Sequence, residues 1–274
     1  MNHLINKIES YPFDKLRRLL SSVNPNKKNN ELINLSIGEP KKRASKKVLS
    51  ILASNKELFS QYPPLGSMNI LVSAYKSYLS KRFNIKEVAN DNILNLGGTR
   101  EGTFSVIQSL FNKKIKSKKP YVLMPNPFYQ IYGGATLLAG GISKQINLNE
   151  DNGFSLDLNS INENIWKKCQ IFVACSPSNP TGSVLKEDEI RKIIKLSRKY
   201  GFYIVSDECY IDIYRESKPK SFIEISYKQF RNFKNIVSLH SLSKRSNLPG
   251  FRSGMICGDK KLINNFKKYR SFHG

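Results

Sequence analysis

Three segments of this chain carry side chains able to do covalent or proton-transfer chemistry. In His240-Ser241-Leu242-Ser243-Lys244-Arg245 a lysine stands among hydroxyls, and a lysine amine is both a nucleophile and a proton carrier. In Ser206-Asp207-Glu208-Cys209-Tyr210 an acid emerges from the apolar run Tyr203-Ile204-Val205. Such a carboxylate is expensive to bury unless a cation meets it. In Gly250-Phe251-Arg252-Ser253-Gly254 an arginine is flanked by glycines. Taken singly, each of these charges also reads as an ordinary surface group.

Weaker signals accompany them. Gly97-Gly98-Thr99-Arg100-Glu101 opens a helical pattern, where free N–H groups and the helix dipole favour an anion such as phosphate. Thr99 with a nearby Glu reads equally as a plain cap. Pro125-Asn126-Pro127-Phe128-Tyr129 presents an aromatic ring, suited to stacking on a planar cofactor or to core packing. Ser176-Pro177-Ser178-Asn179-Pro180-Thr181-Gly182 is a rigid turn. The bonds Asn126–Pro127 and Asn179–Pro180 are expected to be cis, since each must turn the chain sharply. Other enzyme classes fit poorly. His240 and Ser241 are strand neighbours pointing to opposite faces, and no G-x-S-x-G elbow exists. Gly97-Gly98 lacks the full dinucleotide fingerprint, and three scattered histidines make a poor metal site.

What must position these residues is a set of short apolar runs alternating with amphipathic stretches from about residue 93 onward, the pattern of βα units in a mostly parallel sheet. Strands are predicted at Ile93–Leu96, Tyr121–Met124, Ser143–Leu148, Ile171–Cys175, Tyr203–Ser206, Ile236–His240 and Gly254–Cys257, and helices at Thr103–Phe111, Lys186–Tyr200 and Lys261–Tyr269. The predicted fold is an α/β sandwich with helices on both faces. In open α/β sheets ligands bind beyond the carboxyl ends of the strands, and nearly every chemistry-bearing segment above follows a predicted strand. Before Ile93 the reading is sparser: a short amphipathic helix near Phe13–Leu20, then a polar loop at Asn24–Asn30 that divides an arm (1–35) from the main domain (36–274).

The 274 residues, 39% of them hydrophobic, suffice for one large domain plus part of a second. No run approaches the ~20 apolar residues that span a bilayer, and the start lacks a signal peptide's apolar stretch, so a cytoplasmic protein without a membrane partner is expected. Cys169, Cys175, Cys209 and Cys257 show no C-x-x-C spacing and read as reduced core thiols. A formal charge of +24 would suit nucleic acid if the lysines were clustered. They are instead spread among abundant Asn and Ile with no binding motif, and no nucleic-acid partner is expected.

Together the segments resemble one family. The succession of Asn179-Pro180-Thr181-Gly182, Asp207-x-x-Tyr210, Ser241-x-x-Lys244 and Gly250-x-Arg252-x-Gly254 is similar to that of the class I/II aminotransferases, the fold-type I enzymes that use pyridoxal 5'-phosphate. The resemblance runs from about Tyr11 to the end and includes LSIGEPK, GGTREG, LMPNPFYQIYGGA and SLSKRSNLPGFRSG. It implies a mostly parallel seven-stranded sheet between helices, with a small domain of about a hundred further residues that would hold the arginine gripping the substrate's α-carboxylate. It also implies that Lys244 carries the cofactor and that Asp207 pairs with its ring nitrogen. Asn179 and Tyr210 would hydrogen-bond its phenolic oxygen, Tyr129 would stack on its ring, and Gly98, Thr99, Ser241 and Arg252 would cradle its phosphate. Arg252 suits that role because its fork donates two charge-assisted hydrogen bonds. Tyr62 would reach the phosphate of an opposite subunit in a homodimer. Gly38 lies in the segment that closes over substrate, which Asn179 also faces. The substrates implied are an amino acid and a 2-oxo acid, with glutamate as donor and a long dicarboxylic acceptor; Arg100 and Arg245, both beside cofactor-binding segments, are candidate helpers and read equally as solvated surface charges. The alternatives are another aminotransferase or a C–S lyase of the same fold, or a non-catalytic basic binding protein that retains it.

Overall fold

The computed structural model describes residues 2–8, 10–23, 33, 35–62, 68–114 and 120–273. The polar loop at Asn24–Asn30 lies outside them. All seven predicted strands form: β1 (Ile93–Leu96), β2 (Tyr121–Asn126), β3 (Ile142–Asn147), β4 (Cys169–Cys175), β5 (Tyr203–Asp207), β6 (Ile236–Ser241) and β7 (Gly254–Gly258). Their order across the sheet is β1-β7-β6-β5-β4-β2-β3. The pairs β2–β3, β2–β4, β4–β5 and β5–β6 are parallel, while β7 runs antiparallel to both its neighbours. The carboxyl ends of β1, β2, β4, β5 and β6 and the amino end of β7 therefore share one edge. Every residue of β4 is buried, as a central strand covered on both faces requires. At the margin β3 is largely exposed, with Lys144 turned to solvent, a charge that discourages pairing with another chain.

The helices are α1 (Pro12–Leu20), α2 (Lys46–Ser54), α3 (Asn69–Phe83), α4 (Thr99–Leu110), α5 (Ile131–Leu138), α6 (Glu163–Lys168), α7 (Glu187–Tyr200), α8 (Phe222–Phe230), α9 (Leu242–Arg245) and α10 (Lys260–Arg270). One face of the sheet is covered by α3, α6, α7 and α8, around Trp166, Phe172 and Phe202. The Trp166 and Phe202 rings stack at 5.4 Å, a favourable arrangement for buried aromatics. The other face is covered by α4, α5 and α10 through Val106, Ile107, Tyr132 and Phe266. In α7 the predicted stripe is buried through Ile190, Ile193 and Ile194. Its start is capped by Glu189 Oε2 accepting from the Lys186 N–H at 2.6 Å, and it ends at Gly201 with φ +67°, the left-handed position glycine fills without steric cost.

The sparse N-terminal reading is corrected here. Helix α3 buries Val72, Tyr75, Leu79 and Phe83, a 3-4-4 spacing on one face. Ile70, fully on the solvent side, together with Leu71 and Tyr78, adds apolar residues off that stripe and obscures the period. By contrast α1 and α2 bury no residue. Among the described residues no helix is long and apolar enough to cross a membrane. All four cysteines are free, with Cys169, Cys175 and Cys257 buried.

Candidate active site

The site forms along the shared strand edge. Asp207 closes β5, level with Cys175 on β4 and Leu239 on β6. Only 4% of it is exposed. Its Oδ2 accepts from Tyr132 Oη at 2.9 Å and its Oδ1 from the Cys209 N–H at 3.3 Å. Burial raises its pKa, and the hydrogen bonds from Tyr132 and Cys209 draw it partly back. Among the described residues no cation pairs with it, so the fold holds an acid in a dry place with only neutral donors. Its chain neighbour Glu208 faces the opposite side of the sheet, as strand alternation dictates.

Lys244 sits in α9, a single helical turn begun by Ser241, whose Oγ accepts from the Ser243 N–H at 3.1 Å. The Lys244 Nζ donates to the Gly38 carbonyl and lies 5.7 Å from the Tyr210 ring centre. Tyr210 follows β5 in the turn that also carries Cys209. Burial, then the nearby Cys209, Cys175 and Asp207 groups, push its hydroxyl well above the ordinary range, so it remains a proton donor at neutral pH.

Gly98 and Arg252 meet at the same edge. Leu96, Gly254 and Ser241 lie in one row across β1, β7 and β6, which brings the residue two positions beyond β1 against the one two positions before β7. Gly98 has φ +102°, and a Cβ there would run into the Arg252 guanidinium. Arg252 is itself held by its Nη1 bond to the Pro249 carbonyl at 3.0 Å. Gly98 is the N-cap of α4, and no side chain caps the helix. Thr99, the first residue of α4, therefore does not act as the plain cap its sequence context also allowed. Gly254 makes this approach possible: a Cβ on it would stand 2.6 Å from the His240 carbonyl and 3.5 Å from Thr99 Cγ2.

Tyr129, half-buried, meets Tyr132 edge-on at 5.8 Å and packs against the margin of the core. Arg100 lies over the Tyr11 ring at 5.6 Å, and Tyr11 is held by Gln130 Nε2 at 2.8 Å. Asn179 is partly exposed on its turn. That turn is closed by the Ser178 N–H to Ser183 O and Gly182 N–H to Ser178 O bonds, both 2.9 Å. The two expected cis bonds are present, and Ser176–Pro177 is cis as well. The structure thus brings together Gly38, Tyr129, Asp207, Tyr210 and Lys244, with Gly98, Thr99, Ser241 and Arg252 beside them. Tyr62 is fully exposed, 100%, and is not gathered into this cluster. Arg245, proposed from sequence as a substrate helper, is instead ion-paired to Asp212 at 2.6 Å.

Two participants were not singled out from sequence. Tyr132, fully buried against Asp207, lies one helical turn from Tyr129, and that i, i+3 spacing was the available signal. Cys175 flanks the same acid, its thiol pushed up to about 12 chiefly by burial and then by Asp207. It is an inert neighbour rather than a nucleophile.

The residues fit pyridoxal 5'-phosphate on three observations: a buried carboxylate lacking a cation, a lysine amine at the same edge, and a cradle of glycine and arginine at a helix start that a Cβ would fill. The profile of the aminotransferase class I and II family matches residues 30–273. An LL-diaminopimelate aminotransferase of Natranaerobius thermophilus is 27% identical over 274 residues, covering 98% of this chain and 68% of the relative. That of Syntrophobacter fumaroxidans is 28% identical over 264 residues, covering 95% of this chain and 65% of its own length. Among solved structures, an aminotransferase from Neisseria meningitidis superposes with a TM-score of 0.92 at 38% identity, covering all of this chain and 69% of that one. Aminotransferase AspB from Helicobacter pylori does so at 0.89 and 33%, covering 97% and 69%. The chain therefore spans about two thirds of the length of these relatives. With the family profile across most of its length and a solved aminotransferase 38% identical over all of it, this chain belongs to the aminotransferase class I and II family, whose members work with pyridoxal 5'-phosphate.

Proposed function

We propose that the chain forms the cofactor-binding part of an aminotransferase that moves an amino group between N-succinyl-LL-2,6-diaminopimelate and 2-oxoglutarate, a step of lysine biosynthesis. The observation that carries the aminotransferase reading is Asp207: a buried acid without a cation, at the same sheet edge as an accessible lysine amine. Pyridoxal 5'-phosphate, when bound, supplies an electron sink for the charge left at the substrate's Cα. Asp207 would keep the ring nitrogen of that group protonated, since a cation there offsets the burial cost of the carboxylate. Lys244 Nζ would serve as the base that holds and returns the proton of the substrate's Cα. Asn179 and Tyr210 would hydrogen-bond the phenolic oxygen, Tyr129 would cover the ring, and the Gly98–Thr99 turn, Ser241 and Arg252 would hold the phosphate. Gly38, already touching Lys244 Nζ, belongs to the segment that closes over substrate, and Tyr62 serves the neighbouring site in a homodimer. Residues 36–274 constitute the large domain and 1–35 an arm with part of the small domain.

The substrate rests on likeness. SNPTG, SDECY and SLSKRSNLPGFRSG look most like the corresponding segments of N-succinyldiaminopimelate aminotransferase, and a long dicarboxylic substrate suits a rim bearing Arg100. LL-diaminopimelate itself is the second reading, favoured by the names of the curated relatives. A half-reaction screen on the full-length enzyme, with the covalent site mapped after borohydride reduction, tests both levels. Reduction that fixes the cofactor on Lys244 and fastest amino transfer from the succinylated substrate are expected. A faster reaction with LL-diaminopimelate, aspartate or cystathionine would replace the substrate, and labelling of another lysine would overturn the assignment of Lys244.

A further inference from the structure

Lys244 lies in a helix of four residues. One isolated turn has almost no stability of its own, because nucleation fixes several dihedrals for a single hydrogen bond. Whatever aims the Lys244 amine must therefore come from tertiary contacts: its own bond to the Gly38 carbonyl and those made by its neighbour Arg245. Arg245 Nε donates to Asp212 Oδ2 at 2.6 Å, and its guanidinium lies 4.6 Å over the Tyr78 ring. Asp212 also accepts from Tyr78 Oη at 2.9 Å and from Arg82 Nε at 2.8 Å. Arg82 is fixed in turn by its Nη2 bonds to the carbonyls of Ile211 and Pro219, both at 3.1 Å. Side-chain exposures of 14% for Asp212 and 10% for Arg82 take that pair out of the class of solvated surface pairs, whose contribution is small, and Arg245, 36% exposed, joins it from the rim. Burial works against the Asp212 charge, but the bonds from Arg82, Tyr78 and Arg245 hold its pKa below the ordinary value.

The cluster joins three parts of the chain. Tyr78 and Arg82 come from α3, Arg245 comes from the lysine turn, and Asp212 stands in the segment that leaves β5. That segment carries Asp207 and Tyr210 and is folded back by the Ile211 N–H to Glu208 O bond at 3.1 Å and the Ile213 N–H to Tyr210 O bond at 2.8 Å. Adjacent helical residues are about 100° apart around the axis, so fixing Arg245 fixes the rotation of the turn and hence the direction of Lys244.

We propose that Asp212 is a positioning residue for Lys244: through Arg245, and braced by Tyr78 and Arg82 of α3, it sets where the lysine amine stands relative to Asp207 and Tyr210. The inference rests on the reading of Lys244 as the residue that bonds the cofactor. In that step Nζ attacks the cofactor's aldehyde carbon, a C=N bond forms, and the aldehyde oxygen leaves as water with the two amine protons.

The test compares the full chain with its Asp212→Asn, Arg245→Met and Arg245→Lys variants. Two quantities are measured: the rate of covalent capture of pyridoxal 5'-phosphate, by borohydride reduction and peptide mapping, and the calorimetric affinity for pyridoxamine 5'-phosphate, which has no aldehyde and cannot condense with a lysine. Misplacement of a reacting group by an ångström costs on the order of a hundredfold. Asp212→Asn and Arg245→Met are accordingly expected to slow capture at Lys244 by about tenfold or more, with pyridoxamine 5'-phosphate affinity unchanged. Arg245→Lys, which restores a cation facing Asp212, should recover part of the rate. Parental capture rates in both Asp212→Asn and Arg245→Met would overturn the proposal, as would a parallel loss of pyridoxamine 5'-phosphate binding, which marks general structural damage. Arg245→Met leaves Asp212 with Arg82 and Tyr78 and so decides the matter if Asp212→Asn fails to fold. Failure of the parent chain to be labelled on Lys244 would instead overturn the underlying assignment, and this inference with it.

Discussion

Asparagine in place of Asp207 keeps the shape of the carboxylate and removes its charge. The amide oxygen can still accept from Tyr132 Oη, and the only bond placed at risk is the long 3.3 Å contact with the Cys209 N–H. Two effects of opposite sign follow. With cofactor bound, one member of a buried charge pair is gone, and breaking such a pair costs about 3–5 kcal/mol. At 1.36 kcal/mol per decade of rate, the amino-transfer half-reaction should slow by roughly 10²- to 10⁴-fold. Without cofactor the sign reverses. Burial raises the pKa of Asp207 in the folded state, so its contribution to stability is complete below the unfolded pKa and is lost as pH rises through the folded value. Above that folded value the parent has lost the contribution, whereas asparagine does not titrate. Cofactor-free Asp207→Asn should therefore melt at or above the parent while being far slower in turnover. Stopped-flow half-reactions on the full-length enzyme and thermal melts of the cofactor-free protein separate the two effects. Equal half-reaction rates, or a cofactor-free variant melting well below the parent, would refute the reasoning.

Two further outcomes follow from other parts of the site and core. Gly98→Ala places a side chain at φ +102° and against the Arg252 guanidinium. A strained backbone position of this kind costs about 1–3 kcal/mol, so pyridoxal 5'-phosphate should bind about tenfold or more weakly by spectroscopic titration, and an unchanged affinity would remove the glycine–arginine cradle from the account. Glu208, buried beneath the sheet among Ser206, Ser238 and the Phe222 N–H, has its pKa raised from 4.5 to about 7, chiefly by burial. Its contribution to stability is present below pH 4.5 and lost as pH rises through about 7. Thermal melts of Glu208→Gln across that window should lack this component of the parent's decline, and identical profiles would show that Glu208 does not titrate there.

Much of the site was legible in the chain itself. Asp207, Lys244, Gly98 and Arg252 each stand within a few residues of an apolar run, and the runs are long and β-branched enough to be read as strands without knowing their partners. Once a strand is placed, period-2 alternation assigns Asp207 and Glu208 to opposite faces, and proline placement anticipates the cis bonds at Asn126–Pro127 and Asn179–Pro180. The glycine at 98 also speaks locally, because a left-handed φ favours that residue wherever the fold places it.

What the sequence could not determine is everything that depends on which strand lies beside which. β7 enters the sheet antiparallel between β1 and β6, and only that insertion brings Arg252 against Gly98 across more than half the chain. Tyr132 reaches Asp207 over a separation of 75 residues, and Tyr78 and Arg82 reach Asp212 over 134 and 130. Local propensity carries no information about such pairs, since their energy arises only after the sheet has closed. The same holds for α3, whose buried stripe of Val72, Tyr75, Leu79 and Phe83 is blurred by its other apolar residues until the sheet supplies a face to pack on. Arg245 read as a substrate helper or a solvated surface charge because the acid that neutralises it lies 33 residues away, in the segment beyond another strand. Spacing along the chain determined which groups could react; the order of the strands decided which of them meet and which are held in place by others.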